Sequence, residues 1–162
     1  MSWTGHWVTN EMDAWIRMTT MKNWEDFTLA VKRFGVPGQN IVYADVDGNI
    51  GWRPAVFVPL RKEGFSMVPR PGHKKEYDWA GKVPFGKMPY LFNPDKGYIA
   101  TANNKTIGDE FPYYISGLWA DPSRGDRIND ILDNKRGLDM EDMKKVQLDY
   151  QSNFALDVLP YI

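Results

Sequence analysis

The pair Asp47-Gly48 constrains this chain most, because it stands between two runs of β-forming residues. Gln39 to Asp45 precedes it and Asn49 to Val58 follows it. An Asp-Gly pair supplies the left-handed backbone of a tight turn whose twist matches that of two antiparallel strands. The spacing therefore predicts a β-hairpin. Beyond it, from Pro59 to Pro94, lie more than half of the eleven prolines together with Gly64, Gly72, Gly81 and Gly86. Proline cannot donate to a strand ladder, so this stretch is expected to wander over a surface with short extended pieces.

Helical patterns flank the hairpin on both sides. Met12, Trp15, Ile16, Met18 and Thr19 recur at helical spacing between Glu11 and Met21. Asn23, with Asp26 three positions later, reads as the N-cap of a helix from Trp24 to Arg33 that buries Phe27, Val31 and Phe34 and ends at Gly35. Ser2 to Val8 reads as a short strand, and Tyr98 to Ala102 as another that stops at Asn103-Asn104. Asp121-Pro122 pairs a cap with a proline at the first helical position, and Ile128, Ile131 and Leu132 share one face after it. A last helix is expected to follow Asp139 and run toward Leu159. Helices around hairpin strands make this an α+β chain.

Composition removes several functions. Hydrophobic residues make up 43% of the chain and aromatics 14%, enough to build a core. Twenty basic residues against twenty-one acidic ones leave a net charge of -1, too balanced for a general grip on nucleic acid or anionic lipid. Without cysteine there is neither a disulfide nor a thiolate nucleophile. No apolar run approaches the ~18 residues of a membrane span, and the first residues lack the pattern of a leader peptide.

Self-sufficient catalytic sets are missing. His6 and His73 are far apart and lack the spacing that puts two ligands on one metal, so no metal site is assigned. None of Ser66, Ser116, Ser123 and Ser152 sits in a nucleophile-elbow pattern. Asp45 and Asp47 resemble paired carboxylates, but beside a hairpin turn they read as turn-capping groups. The run Tyr98-Ile99-Ala100-Thr101-Ala102-Asn103-Asn104 is more telling. Asparagine forms strands poorly, yet its amide can donate to a developing oxyanion; a strand-end turn is the competing reading.

An ordered set of short motifs resembles the penicillin acylases. It comprises Asn23-Trp24, Val42-Tyr43-Ala44-Asp45-Val46-Asp47-Gly48-Asn49-Ile50-Gly51, Val68-Pro69-Arg70-Pro71-Gly72, Asp78-Trp79 with Gly81, Pro84-Phe85, Asn93-Pro94, Gly97-Tyr98-Ile99-Ala100, Asn103-Asn104, and Asp126-Arg127-Ile128 after Trp119. The resemblance covers nearly the whole chain. It implies a single partial domain, residues 1–162, from the catalytic β-chain of an N-terminal-nucleophile hydrolase with an αββα sandwich fold. The nucleophile in that family is a serine freed by autoproteolysis, whose own α-amino group acts as base. It is expected upstream of these residues, since Trp3-Thr4 beside Ser2 resembles the family's interior.

Carried over position by position, the resemblance makes Asn103 the oxyanion-hole amide and Arg127 an arginine near the reacting groups. Trp15 and Gln39 fall at acyl-pocket positions. Gln39 is polar where a phenylacetyl-selective pocket would be apolar, and Val56 replaces a glycine common in the second hairpin strand. No cofactor is required; a structural calcium in the parent enzyme stays open, with no residue here assigned to it. The implied partners are the α-chain, the N-terminal part of the β-chain and a small acyl-amide substrate, with neither nucleic acid nor membrane. The parent is expected in the bacterial periplasm or outside the cell. The chain alone is expected to be inactive and, with strands left unpaired, to self-associate or rearrange. The competing reading is a non-catalytic module that binds through exposed aromatics, in which Asn103 would be buried in a turn.

Overall fold

The Asp47-Gly48 turn forms as its residue types require. In the computed structural model, which describes residues 1–62 and 67–162, Gly48 takes the left-handed φ of 85°. Gly64 and Ser66 lie outside the described residues. Strands β1 (Gln39–Ala44) and β2 (Ile50–Ala55) pair antiparallel on either side of the turn, from Gln39 opposite Ala55 to Ala44 opposite Ile50. Asp45 holds the turn. One of its oxygens accepts from the backbone N–H groups of Asp47 and Asn49, at 3.0 and 2.9 Å. Its other oxygen accepts from Tyr43 Oη at 2.7 Å and Asn49 Nδ2 at 2.9 Å. The paired acids are thus a turn device.

Two helices precede the hairpin, and both start where asparagine can cap them. Asn10 Oδ1 accepts from Asp13 N–H at the start of α1 (Glu11–Met18), and Asn23 Oδ1 accepts from Asp26 N–H at the start of α2 (Trp24–Val31). Phe27, Val31 and Phe34 point into one core with Ala14, Tyr43 and Ala55. Phe27 and Val31 are each 1% exposed, so each contributes about 1.5–3 kcal/mol through burial alone. Gly51 lets α2 approach the sheet, since a Cβ there would lie 2.2 Å from the Trp24 ring.

The proline-rich stretch supplies short extended pieces. Strand β3 (Pro59–Arg61) pairs antiparallel with β4 (Trp79–Lys82), and Val58, Val83 and Met88 form a small second core beside them. Strand β5 (Leu91–Phe92) joins the hairpin sheet through Gly51 opposite Phe92 and Trp52 opposite Leu91. These elements belong to one compact unit, Met1–Ile99 with Asp109–Gly117; a second comprises Ala100–Gly108 with Leu118–Ile162.

The second unit is helical. Helix α3 (Ser123–Asp133) starts where Asp121 Oδ1 accepts from Ser123 N–H at 2.9 Å. A reciprocal capping box between Asp139 and Asp142 opens α4 (Met140–Gln147), and Ser152 Oγ caps α5 (Asn153–Val158) by accepting from Ala155 N–H.

Three expected elements differ. Ser2 to Val8 is not a strand, because the Trp3 ring folds over Gly5 and a 3-10 turn forms at Thr4–His6, with His6 N–H donating to Trp3 O. Tyr98 to Ala102 joins no ladder among the described residues. At its end the Ala102 N–H donates to the Asn104 side chain and the Ala102 carbonyl accepts from Arg124, so side chains take the bonds a neighbouring strand would need. The expected last helix is broken in two between Gln147 and Asn153, where Asp149 turns to Arg127 and Ser152 starts a new cap.

Candidate functional site

Within the second unit, the first turn of α3 shapes the bend that carries Asn103. Arg124, on that turn, donates through one nitrogen, Nη2, to Ala102 O at 2.6 Å and to Asn103 Oδ1 at 3.0 Å. Asn103 O in turn accepts from Ala120 N–H at 3.0 Å. Gly125 gives the helix room to come close, because a Cβ there would press on the Asn104 amide at 3.1 Å. These contacts hold Asn103 at φ 61°, a left-handed conformation that asparagine tolerates better than most residues.

The orientation of the Asn103 amide follows from chemistry. A guanidinium donates and never accepts, so the end facing Arg124 must be the oxygen. The Nδ2 group is then the outward end. It makes no hydrogen bond among the described residues, and Asn103 is exposed. The result is a donor held by its own carbonyl and aimed away from its support. Such a group can accept a developing negative charge without reorganising.

Arg127 is placed differently. Its Nε and Nη2 donate to the two oxygens of Asp149 at 3.0 and 2.6 Å, a two-pronged pair that ties α3 to the break between α4 and α5. The Arg127 guanidinium holds the Asp149 carboxyl below the usual aspartate range, first through that hydrogen bond, and its own pKa rises in return. Among the described residues the structure therefore joins Asn103 to Arg124, not to Arg127. Sequence reasoning passed over Arg124, and its signal was available: a basic side chain in the first turn of a helix, where the helix dipole disfavours it, needs a local reason.

The two pocket candidates lie in the first unit. Trp15, on α1, stacks edge-to-face on Phe34 with ring centroids 5.7 Å apart and remains 47% exposed. Gln39 opens β1 opposite Ala55 and is exposed. No group of three or more His, Cys, Asp or Glu is placed to hold a metal ion among the described residues. No helix among them is long and apolar enough to cross a membrane.

Helices with antiparallel sheets define an α+β chain. The chain belongs to the penicillin amidase family, whose sequence model matches residues 1–162. It is 31% identical over 144 residues to the acyl-homoserine lactone acylase QuiP of Pseudomonas fluorescens, covering 89% of this chain and 17% of that protein. It is 34% identical over 137 residues to penicillin G acylase of Escherichia coli, covering 83% of this chain and 16% of that protein. The structure of a thermostable penicillin G acylase from Alcaligenes faecalis superposes with a TM-score of 0.68 at 26% identity, over 82% of this chain and 24% of that one. The chain thus spans about a sixth of the length of these curated relatives.

Proposed function

We propose that this chain is an internal part of the catalytic subunit of an amidase that hydrolyses the N-acyl amide bond of penicillins, acyl-homoserine lactones or related acylated amines. The nucleophile in this reading is an N-terminal serine outside these residues. Its hydroxyl attacks the amide carbonyl, its α-amino group takes the proton, and Asn103 Nδ2 donates to the oxygen that becomes negative. Arg124 keeps that amide turned the right way, Trp15 and Gln39 line the acyl pocket, and no cofactor takes part. The remaining subunit and the N-terminal part of the same subunit complete the enzyme.

The observation that supports this best is the state of Asn103: exposed, with its oxygen held and its N–H group unengaged among the described residues. A turn-forming asparagine of a binding module would instead be buried.

The test is Asn103→Ala in the enzyme that carries this segment. Turnover is expected to fall by about 10²–10³ with the fold preserved, since that is the typical cost of one lost oxyanion donor. Near-wild-type turnover would sink the assignment. The 162-residue chain itself is expected to leave a chromogenic acyl-anilide uncleaved.

A further inference from the structure

One buried cation in the first unit has no counter-charge among the described residues. Arg53 sits in β2 opposite Ile41 and is only 8% exposed. Its guanidinium carbon lies 4.6 Å from the ring centroid of Phe85, 4.6 Å from that of Tyr90 and 5.8 Å from that of Trp24. None of the ion pairs found among the described residues includes it, and its Nε and Nη1 are buried without a hydrogen-bond partner there. Burial pushes its pKa below the usual arginine value.

Aromatic rings meet half of what a desolvated guanidinium requires. Their faces attract the positive charge, but they offer N–H donors no oxygen lone pair. A buried charged group with unmet donors is costly unless an acceptor reaches it. Arg53 is therefore built to take something. Its Nη2 is not among the buried, unpartnered atoms and forms no hydrogen bond among the described residues, so it is the nitrogen that meets solvent. Tyr90, 55% exposed, forms the rim.

We propose that Arg53 is a carboxylate-binding site, entered from the Nη2 edge beside Tyr90. A carboxylate is planar, carries a single charge that balances a single guanidinium, and places one oxygen on the open Nη2 while its second lies along the edge toward the buried nitrogens. A phosphate dianion would leave a surplus charge between the apolar walls of Phe85, Tyr90 and Trp24. The carboxylate comes either from an acidic side chain elsewhere in a longer chain that carries this segment, or from a free organic acid. The assignment does not depend on Asn103 or on the proposed reaction.

The experiment is a titration of the 162-residue chain with sodium acetate, with sodium chloride at equal ionic strength as control, read by the arginine Nε–H resonances and by Tm. Acetate is expected to shift one Nε–H resonance saturably and to raise Tm, while chloride does neither; binding to the folded state alone produces such a rise. In Arg53→Met that resonance disappears and the acetate-dependent rise in Tm is lost. Arg53→Lys keeps the charge without the fork and is expected to respond several-fold more weakly. Should Arg53→Met fail to fold, the comparison of the unsubstituted chain with Arg53→Lys decides. No acetate shift, an equal shift with chloride, or an undiminished response in Arg53→Lys overturns the proposal. Repeating the titration in the full-length protein separates the sources. An Nε–H already at its acetate-saturated position identifies a side chain of the protein, and a resonance that still titrates identifies a free acid.

Discussion

Arg124 Nη2 bonds both Ala102 O and Asn103 Oδ1, so one nitrogen of one side chain fixes the backbone before the bend and the amide on it. The Asn103 donor inherits its direction from α3. If Asn103 stabilises an oxyanion, Arg124 is a positioning residue for that step, and its removal should weaken the transition state while leaving substrate binding alone.

Arg124→Ala in the enzyme is accordingly expected to lower kcat roughly tenfold or more, from the ~1.5–3 kcal/mol typical of hydrogen bonds to a charged group, with KM little changed. The double variant Asn103→Ala/Arg124→Ala should be no slower than Asn103→Ala, because the two residues act as a unit. Additive losses in steady-state kinetics would show that Arg124 works through something else.

The Arg127–Asp149 pair predicts a stability effect with a definite pH sign. Asp149 is held below the usual aspartate pKa, so its contribution is present above the unfolded value and is lost as pH falls through the depressed folded one. Asp149→Asn should lower the urea midpoint at neutral pH and flatten its decline in acid. If the pair matters only for stability, Arg127→Ala will lose the same stability and keep most of its turnover per folded molecule.

Tyr43 titrates late. Burial and then the Asp45 hydrogen bond push its pKa up to about 12. Stability from this group is fully present below the unfolded value near 10 and is lost as pH rises through the folded one. Tyrosinate absorbance should show one late transition that vanishes in Tyr43→Phe and moves earlier in Asp45→Asn. A late transition unmoved by Asp45→Asn would leave burial, with the charges of Asp47 and Glu25, as its cause.

Packing around Trp24 gives two opposite volume tests. Phe27→Ala empties the centre of the first core and should cost about 3–5 kcal/mol. Gly51→Ala overfills it, because the new Cβ falls 2.2 Å from the Trp24 ring, and should cost about 1–3 kcal/mol. Urea unfolding of the two variants measures both.

Local chemistry made much of the fold legible. Asp47-Gly48 turns the hairpin, Asn23 caps α2, Asp121 starts α3, and Phe27, Val31 and Phe34 form the predicted core face. Each depends on residues within a few positions of one another. Two of the three misreadings have the opposite property, while Ser2 to Val8 fails as a strand on the local contact of Trp3 with Gly5. Whether Tyr98 to Ala102 becomes a strand depends on what its peptide groups meet, and Arg124, twenty-two residues beyond Ala102, takes the Ala102 carbonyl. The helix after Gln147 breaks because Asp149 has a partner twenty-two residues back.

By itself the sequence determined the α+β class, the hairpin and its turn, the starts of α2 and α3 and, through the motifs running from Asn23-Trp24 to Asp126-Arg127-Ile128, the penicillin amidase family. Short-range hydrogen bonding and side-chain periodicity carry that information within each element. Only the tertiary structure decided that Arg124 bonds Asn103, that Arg127 pairs with Asp149, and that Arg53 lies among rings with its donors unmet among the described residues. Those outcomes rest on which groups meet across long stretches of chain, and a donor's partner is settled by distance and burial in space rather than by position in the sequence.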